Sequence, residues 1–230
     1  MSEAASEYKL ECYQIKKNLG TGGNLWLVED SVTGKQLVMR RLSRSHEAVY
    51  RILEKLCHPN LTEVQDVFCC HGFLYVVERF LEGKTLTQVL EEQGTSKDLA
   101  CSVAKQILAA LCVLHANGII HRDIKPDNIR MVSQGTARLM DFDIARLFSE
   151  EKGADTTPRG TRAYAPPEQY GFQQTDYRAD IYSLGVTVNE AATGNLPEAG
   201  VCGGFLGIFV RRCTELDPKR RYQTARQAMT

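Results

Sequence analysis

The sequence has no excess of either charge, since its 28 Lys and Arg match its 28 Asp and Glu. Chains that grip a nucleic-acid polyanion carry a basic surplus, so nothing here points to nucleic acid. No apolar run reads as long enough to cross a bilayer, and the first residues lack the apolar core of a signal peptide. The expectation is therefore a chain without a membrane segment. Internal repeats and low-complexity tracts are also missing. The eight cysteines, at 12, 57, 69, 70, 101, 112, 202 and 213, form no C-x-x-C pair and have no histidine at zinc-ligand spacing. Several fall in apolar runs, so they read as small buried hydrophobes in a reducing, cytoplasmic setting and not as a disulfide or zinc framework. With 230 residues there is ample chain for one or two compact units.

What is present centres on His121-Arg122-Asp123-Ile124-Lys125-Pro126-Asp127-Asn128. An acid, a cation two residues on and an amide five residues on share one turn-rich loop, after an apolar helical run and before the short apolar segment Ile129 to Val132. Such a loop suits a hydroxyl held beside a metal-bound phosphate. Asp123 can accept a proton, Lys125 can screen developing phosphate charge, and Asn128 can ligate a divalent ion. Upstream, two strands, Tyr13 to Leu19 and Leu25 to Glu29, flank Gly20-Thr21-Gly22-Gly23-Asn24, a hairpin whose backbone N–H groups could approach phosphates closely. Further strands are expected at Gln36 to Leu42, Val64 to Phe68 and Phe73 to Glu78. Helices are expected at His46 to Leu56, Leu86 to Glu91 and Asp98 to Ala116, the last with Leu99, Val103, Ile107, Leu111 and Leu114 as one core stripe. Residues 1–7 read as a frayed, polar end.

The central loop resembles the catalytic loop of eukaryotic-type protein kinases, H-R-D-x-K-x-x-N. Other blocks in order strengthen the resemblance: Asp141-Phe142-Asp143 for D-F-G, Ala165-Pro166-Pro167-Glu168 for A-P-E, Asp180-Ile181-Tyr182-Ser183-Leu184-Gly185 for D-x-x-S-x-G, and Asp217-Pro218-Lys219-Arg220-Arg221 for D-P-x-x-R. The stretch Pro166 to Gly185 is similar to the bacterial branch of serine/threonine kinases. The resemblance implies an α+β, bilobal fold, with a β-rich nucleotide lobe at 8–81 and a mainly helical catalytic lobe at 82–230. It implies ATP with Mg²⁺ or Mn²⁺, and a protein substrate bearing a Ser or Thr hydroxyl, the latter because Lys125 follows Asp123 by two. Asp123, Lys125, Asn128 and Thr161 become the catalytic set, and Asn128 and Asp141 the metal ligands. Gly20, Gly22, Gly23, Leu27, Val38, Arg40, Glu78, Leu81 and Arg130 become the nucleotide-contacting set. Asp180 would hold the loop backbone, and Arg221 would pair with Glu168. A phosphate on Thr156 or Thr157 would dock on Arg122 and order the loop. Autophosphorylation would bring two copies of the chain together.

Several positions depart from the family pattern. Leu25 stands for the third glycine, Arg40 for the strand lysine, Val49 for its glutamate partner on the following helix, and Asp143 for the D-F-G glycine. Glu47 is two residues from Val49, roughly 200° around the helix, and cannot substitute. Glu78, at the gatekeeper position, is the acid placed beside Arg40, and a two-pronged Arg40–Glu78 bond is expected. If Asp143 needs a left-handed backbone it costs a kcal/mol or two at most. The chain between Gly194 and Arg211 is brief, and the helix that often docks partners in this family is mostly missing. The alternative is a pseudokinase that serves as an interaction module; retention of Asp123, Lys125, Asn128 and Asp141 together favours an active enzyme.

Overall fold

The computed structural model describes residues 3–20, 22–148, 160–170 and 175–230. It divides into two compact units, residues 1–58 with 62–81, and residues 59–61 with 82–230.

The first unit opens with a helix, α1 (Glu3–Glu11), and builds one antiparallel sheet from β1 (Tyr13–Asn18), β2 (Leu25–Asp30), β3 (Gln36–Ser43), β4 (Val64–Cys70) and β5 (Phe73–Arg79), in the order β1-β2-β3-β5-β4. A 3₁₀ turn (Arg44–His46) and a short helix, α2 (Glu47–Leu53), lie between β3 and β4. Two-residue periodicity sorts the side chains. Val28, Leu37, Met39, Phe68, Cys70, Tyr75 and Val77 form the core on one face, with Leu10, Tyr13 and Trp26 packed against it. The register Leu27↔Val38↔Glu78, with Arg40↔Val76, puts Leu27, Val38, Arg40 and Glu78 together on the other face. The β4–β5 turn has positive φ at both central residues, His71 (49°) and Gly72 (80°), as a two-residue hairpin matched to strand twist requires.

Two expectations are corrected here. Residues 3–7 are not frayed: α1 lies on β4, Lys9 Nζ donates to both Asp66 oxygens at 2.7 and 2.8 Å, and Glu3 and Glu7 hold the backbone and ring of His71. The polar composition of residues 1–7 hid this because their partners lie some sixty residues away. The helix after β3 is also shorter than expected: it ends at Leu53, three residues before Leu56, and His46 belongs to the preceding 3₁₀ turn.

The second unit carries β6 (Lys84–Thr85), α3 (Leu86–Gln93), α4 (Lys97–Ala116), β7 (Ile119–Ile120), β8 (Ile129–Met131), β9 (Ala137–Leu139), β10 (Arg146–Leu147), α5 (Arg178–Thr193), α6 (Phe205–Cys213) and α7 (Ala225–Ala228). Thr85 caps α3 in a reciprocal box with Gln88, and Ser96 caps α4 through the Leu99 N–H. Val103, Ile107, Leu111 and Leu114 are buried as expected, but Leu99 is only partly so; Ala100, Ala104, Leu108 and Ala110 widen the stripe, since α4 packs on both α5 and α7. By length and composition alone α4 could cross a membrane, contrary to the sequence reading; here it is a core helix. Between α5 and α6 the chain forms only a 3₁₀ turn, Pro197–Ala199. All eight cysteines are free, yet only Cys70, Cys202 and Cys213 are buried and Cys57 is exposed, so the buried-hydrophobe reading holds for a minority.

Candidate active site

In the second unit, β7 delivers the chain into the loop at His121, and a 3₁₀ turn, Pro126–Asn128, returns it to β8. Asp180, fully buried in the first turn of α5, accepts the His121 N–H at 2.9 Å and the Arg122 N–H at 2.8 Å. It also bonds the His115 ring, at 2.9 Å. Burial alone would raise its carboxyl; the bond from His115 and the neighbouring imidazoles and amide outweigh that and hold it below the usual range. This grip lets Arg122 keep a left-handed backbone, φ 70°.

His121 is sealed in as well. Its Nε2 lies 3.2 Å from the Met140 carbonyl, which can only accept, and its Nδ1 takes the Asp123 N–H at 3.3 Å. Those partners assign a neutral ring with the proton on Nε2. Burial pushes its pKa down, against the pull of Asp180, Asp123 and Asp141. The ring meets the fully buried Phe142 edge-on, with centroids 4.9 Å apart.

Around Asp123 three side chains converge. Asn128 Nδ2 donates to the Asp123 carbonyl and to Oδ2, each at 2.8 Å. Lys125 Nζ lies 2.8 Å from Oδ2 and donates to Thr161 Oγ1 at 2.6 Å. Thr161 donates through its backbone N–H (3.0 Å) and its hydroxyl (2.8 Å) to Oδ1. Partial burial would raise the Asp123 carboxyl, but the bonds from Lys125 and Thr161 hold it low and ionised. The structure thus brings together the whole expected catalytic set.

Asp141 follows β9 and accepts the Asp143 N–H at 3.3 Å, while Met140 N–H donates to the Asn128 carbonyl at 2.9 Å. Positive φ falls on Asp141 (67°), not on Asp143, so the lost glycine carries no backbone strain. Glu168 and Arg221 form the expected buried pair, at 2.5 and 3.0 Å, with Arg221 only 1% exposed. Gln169 Nε2 donates to the Arg122 carbonyl at 2.7 Å, a contact with no signal in the sequence. Thr156 and Thr157 lie outside the described residues.

In the first unit, Arg40 and Glu78 are 8% and 3% exposed, and Arg40 Nε donates to Glu78 Oε2 at 3.0 Å. The expected pair is present; its described contact is a single Nε bond where two prongs were expected. Val49 is buried, and Glu47 is engaged elsewhere, by Arg44, Arg51 and the Cys69 thiol. A Cβ on Gly22 would come no closer than 3.9 Å to Asn24, and one on Gly23 would meet nothing within 4 Å, so the hairpin backbone is open to approach. Asn24 Oδ1 is clamped by Arg41 Nη2 at 2.8 Å, which ties the hairpin base to β3. Leu27 and Val38 are partly buried on the face of Arg40, and Leu81 is buried. In the second unit, Arg130 Nη1 donates to the Gly83 carbonyl at 2.9 Å, and burial lowers its pKa.

Asn128 and Asp141 offer a hard, oxygen-only donor set of one carboxylate and one amide oxygen. Among the described residues no group of three or more His, Cys, Asp or Glu could hold a metal by itself. That composition fits Mg²⁺ or Mn²⁺ arriving with a nucleotide, because Mg²⁺ takes one or two carboxylates and completes its shell with phosphates and water.

A family model described as the protein kinase domain matches residues 13–202. The chain belongs to the protein kinase domain family. Relatives of this kinase domain include the probable serine/threonine-protein kinase PknB of Lactococcus lactis, 34% identical over 203 positions, with 82% of this chain and 32% of the relative covered. The serine/threonine-protein kinase PrkC of Bacillus subtilis is 31% identical over 250 positions, covering 93% of this chain and 39% of its own. Serine/threonine-protein kinase PknD of Mycobacterium tuberculosis is 33% identical over 199 positions, 80% of this chain and 30% of its own. The chain spans about a third of the length of the curated relatives it matches.

Proposed function

We propose that this kinase domain transfers the γ-phosphoryl group of ATP, with Mg²⁺ or Mn²⁺, to serine or threonine hydroxyls of proteins. The observation that carries the reading is the closed set of bonds around Asp123: Lys125, Asn128 and Thr161 all converge on one carboxylate. An ionised carboxylate so oriented can take the acceptor hydroxyl's proton as the oxygen becomes a nucleophile. Lys125, also bonded to Thr161, is placed to offset charge that develops on the transferred group. Asn128 and Asp141 would hold the divalent ion, and Gly20, Gly22, Gly23 and Arg40 would face the phosphates. Leu27, Val38, Leu81 and Arg130 would border the base. When bound, the metal nucleotide supplies the phosphoryl group and most of the local positive charge. Everything the chain adds is positioning and electrostatics, prepared by Asp180 behind the loop.

On this reading residues 8–81 serve the nucleotide and 82–230 the acceptor. We place the chain in a reducing, cytoplasmic setting on the sequence reading of its scattered cysteines. Transfer between two copies of the chain would supply any autophosphorylation. Asp123→Asn keeps the shape and removes the base, so phosphate transfer from ATP to the chain or a generic protein should fall about 10²–10⁴-fold. Transfer that survives this change would place the base elsewhere.

A further inference from the structure

We propose that Glu78 is the positioning residue for Arg40, so that the phosphate-facing cation is tethered within the sheet and not to α2. The inference rests on the kinase reading above and goes beyond it to the residue that sets the cation's place. Arg40 and Glu78 are charged, on neighbouring strands β3 and β5, and each more than nine-tenths buried. They sit diagonally across the ladder, since Arg40 pairs with Val76 and Val38 with Glu78, and their bond measures 3.0 Å. Two buried charges are costly to desolvate, and apolar residues of similar volume commonly serve a fold as well or better. A buried charge pair there therefore calls for a role in which the charge itself is used.

The geometry suits such a role. Glu78 engages Nε, at the inner edge of the guanidinium, and so fixes the plane of the fork whose outer nitrogens suit phosphate oxygens. Leu27 and Val38 share this face. On α2, Val49 has no polar atom, and the two acids are occupied: Glu47 by Arg44, Arg51 and Cys69, and Glu54 by Arg51. Movement of α2 would leave the Arg40–Glu78 bond intact, because both partners belong to strands already joined in one ladder. The cation is held by the same hydrogen bonds that hold the sheet.

Three variants of the chain test this, with calorimetric binding of Mg-ATP, thermal midpoint, and steady-state KM and kcat as readouts. Glu78→Gln should weaken Mg-ATP binding and raise KM for ATP about tenfold or more, with KM for the protein acceptor unchanged. Glu47→Gln should leave both within twofold. Because Glu78→Gln risks misfolding, Arg40→Met/Glu78→Leu provides the second arm. Removing both charges should keep or raise the thermal midpoint while Mg-ATP affinity still falls about tenfold. A well-folded double variant that binds Mg-ATP within twofold of the parent would show the pair to be structural and overturn the proposal. So would Glu47→Gln if it weakened binding as much as Glu78→Gln. A parent chain that neither binds nor uses Mg-ATP would instead overturn the kinase reading, and this proposal with it.

Discussion

At the scale of single residues, the catalytic loop is governed by two groups that never need to touch a substrate. Asp180 anchors two successive backbone N–H groups, and His121 bridges the loop to the chain ahead of Asp141 through a neutral ring. Both have pKa values depressed in the folded state, and the consequence for stability has a definite sign. An unfolded histidine takes up a proton below about pH 6.5, whereas buried His121 does not, so the unfolded state binds more protons and stability falls as pH drops below that value. His58, lowered by burial, acts in the same direction. Asp180 and Asp123 add stability that is complete above about pH 3.9 and is lost as pH falls through their depressed values. Denaturant midpoints should therefore slope downward below about pH 6.5 and steepen below about 4. His121→Gln should lessen the first slope, leaving the part that His58 carries, and leave the second. An unaltered profile in that variant would show that His121 does not carry it.

Among elements, the strands obey the sequence and the junctions do not. Alternation along β3 and β5 was enough to expect both strands, and their register then put Arg40 and Glu78 on one face. Strand β6 depends on something alternation does not show. Gly83 has φ 130°, and a Cβ there would run into the Met131 carbonyl oxygen of β8. Gly83→Ala should thus part β6 from β8 and cost about 2 kcal/mol or more, read from the urea midpoint. It should also release Arg130, whose guanidinium holds the Gly83 carbonyl. A variant as stable as the parent would mean that this segment relaxes freely. Helix α1 is the counter-case, because its polar residues carry no apolar stripe and its anchors, Asp66 and His71, are remote in sequence.

For the molecule as a whole, the most expensive feature to disturb lies outside the catalytic set. Arg221 is the largest fully buried side chain, and it binds Glu168, the Glu215 and Leu216 carbonyls, and the Arg178 carbonyl in α5. One guanidinium therefore joins the 3₁₀ turn that carries Glu168, the start of α5 and the loop after α6. Arg221→Met would leave Glu168 buried with its charge uncompensated, and should destabilise the chain by about 3–5 kcal/mol in chemical denaturation. Loss of less than about 1 kcal/mol would show that water or another cation replaces it.

What the sequence determined by itself was the ordered series of local motifs. Asp123, Lys125, Asn128, Asp141, Thr161, Asp180, Glu168 and Arg221 could all be named in advance, because each sits in a short block that resembles a protein-kinase motif. Local spacing also placed β1 to β5 and the helices α3 and α4. The tertiary structure decided what depends on contacts between distant segments. It set which face Glu78 takes and which nitrogen of Arg40 it meets. It moved the left-handed backbone from Asp143 to Asp141, and it gave Gln169 the Arg122 carbonyl. It also turned a polar first stretch into a docked helix. The physical reason is common to all of these: burial and hydrogen-bond partners across many residues are properties of the folded surface, and no window of sequence contains both halves of the contact.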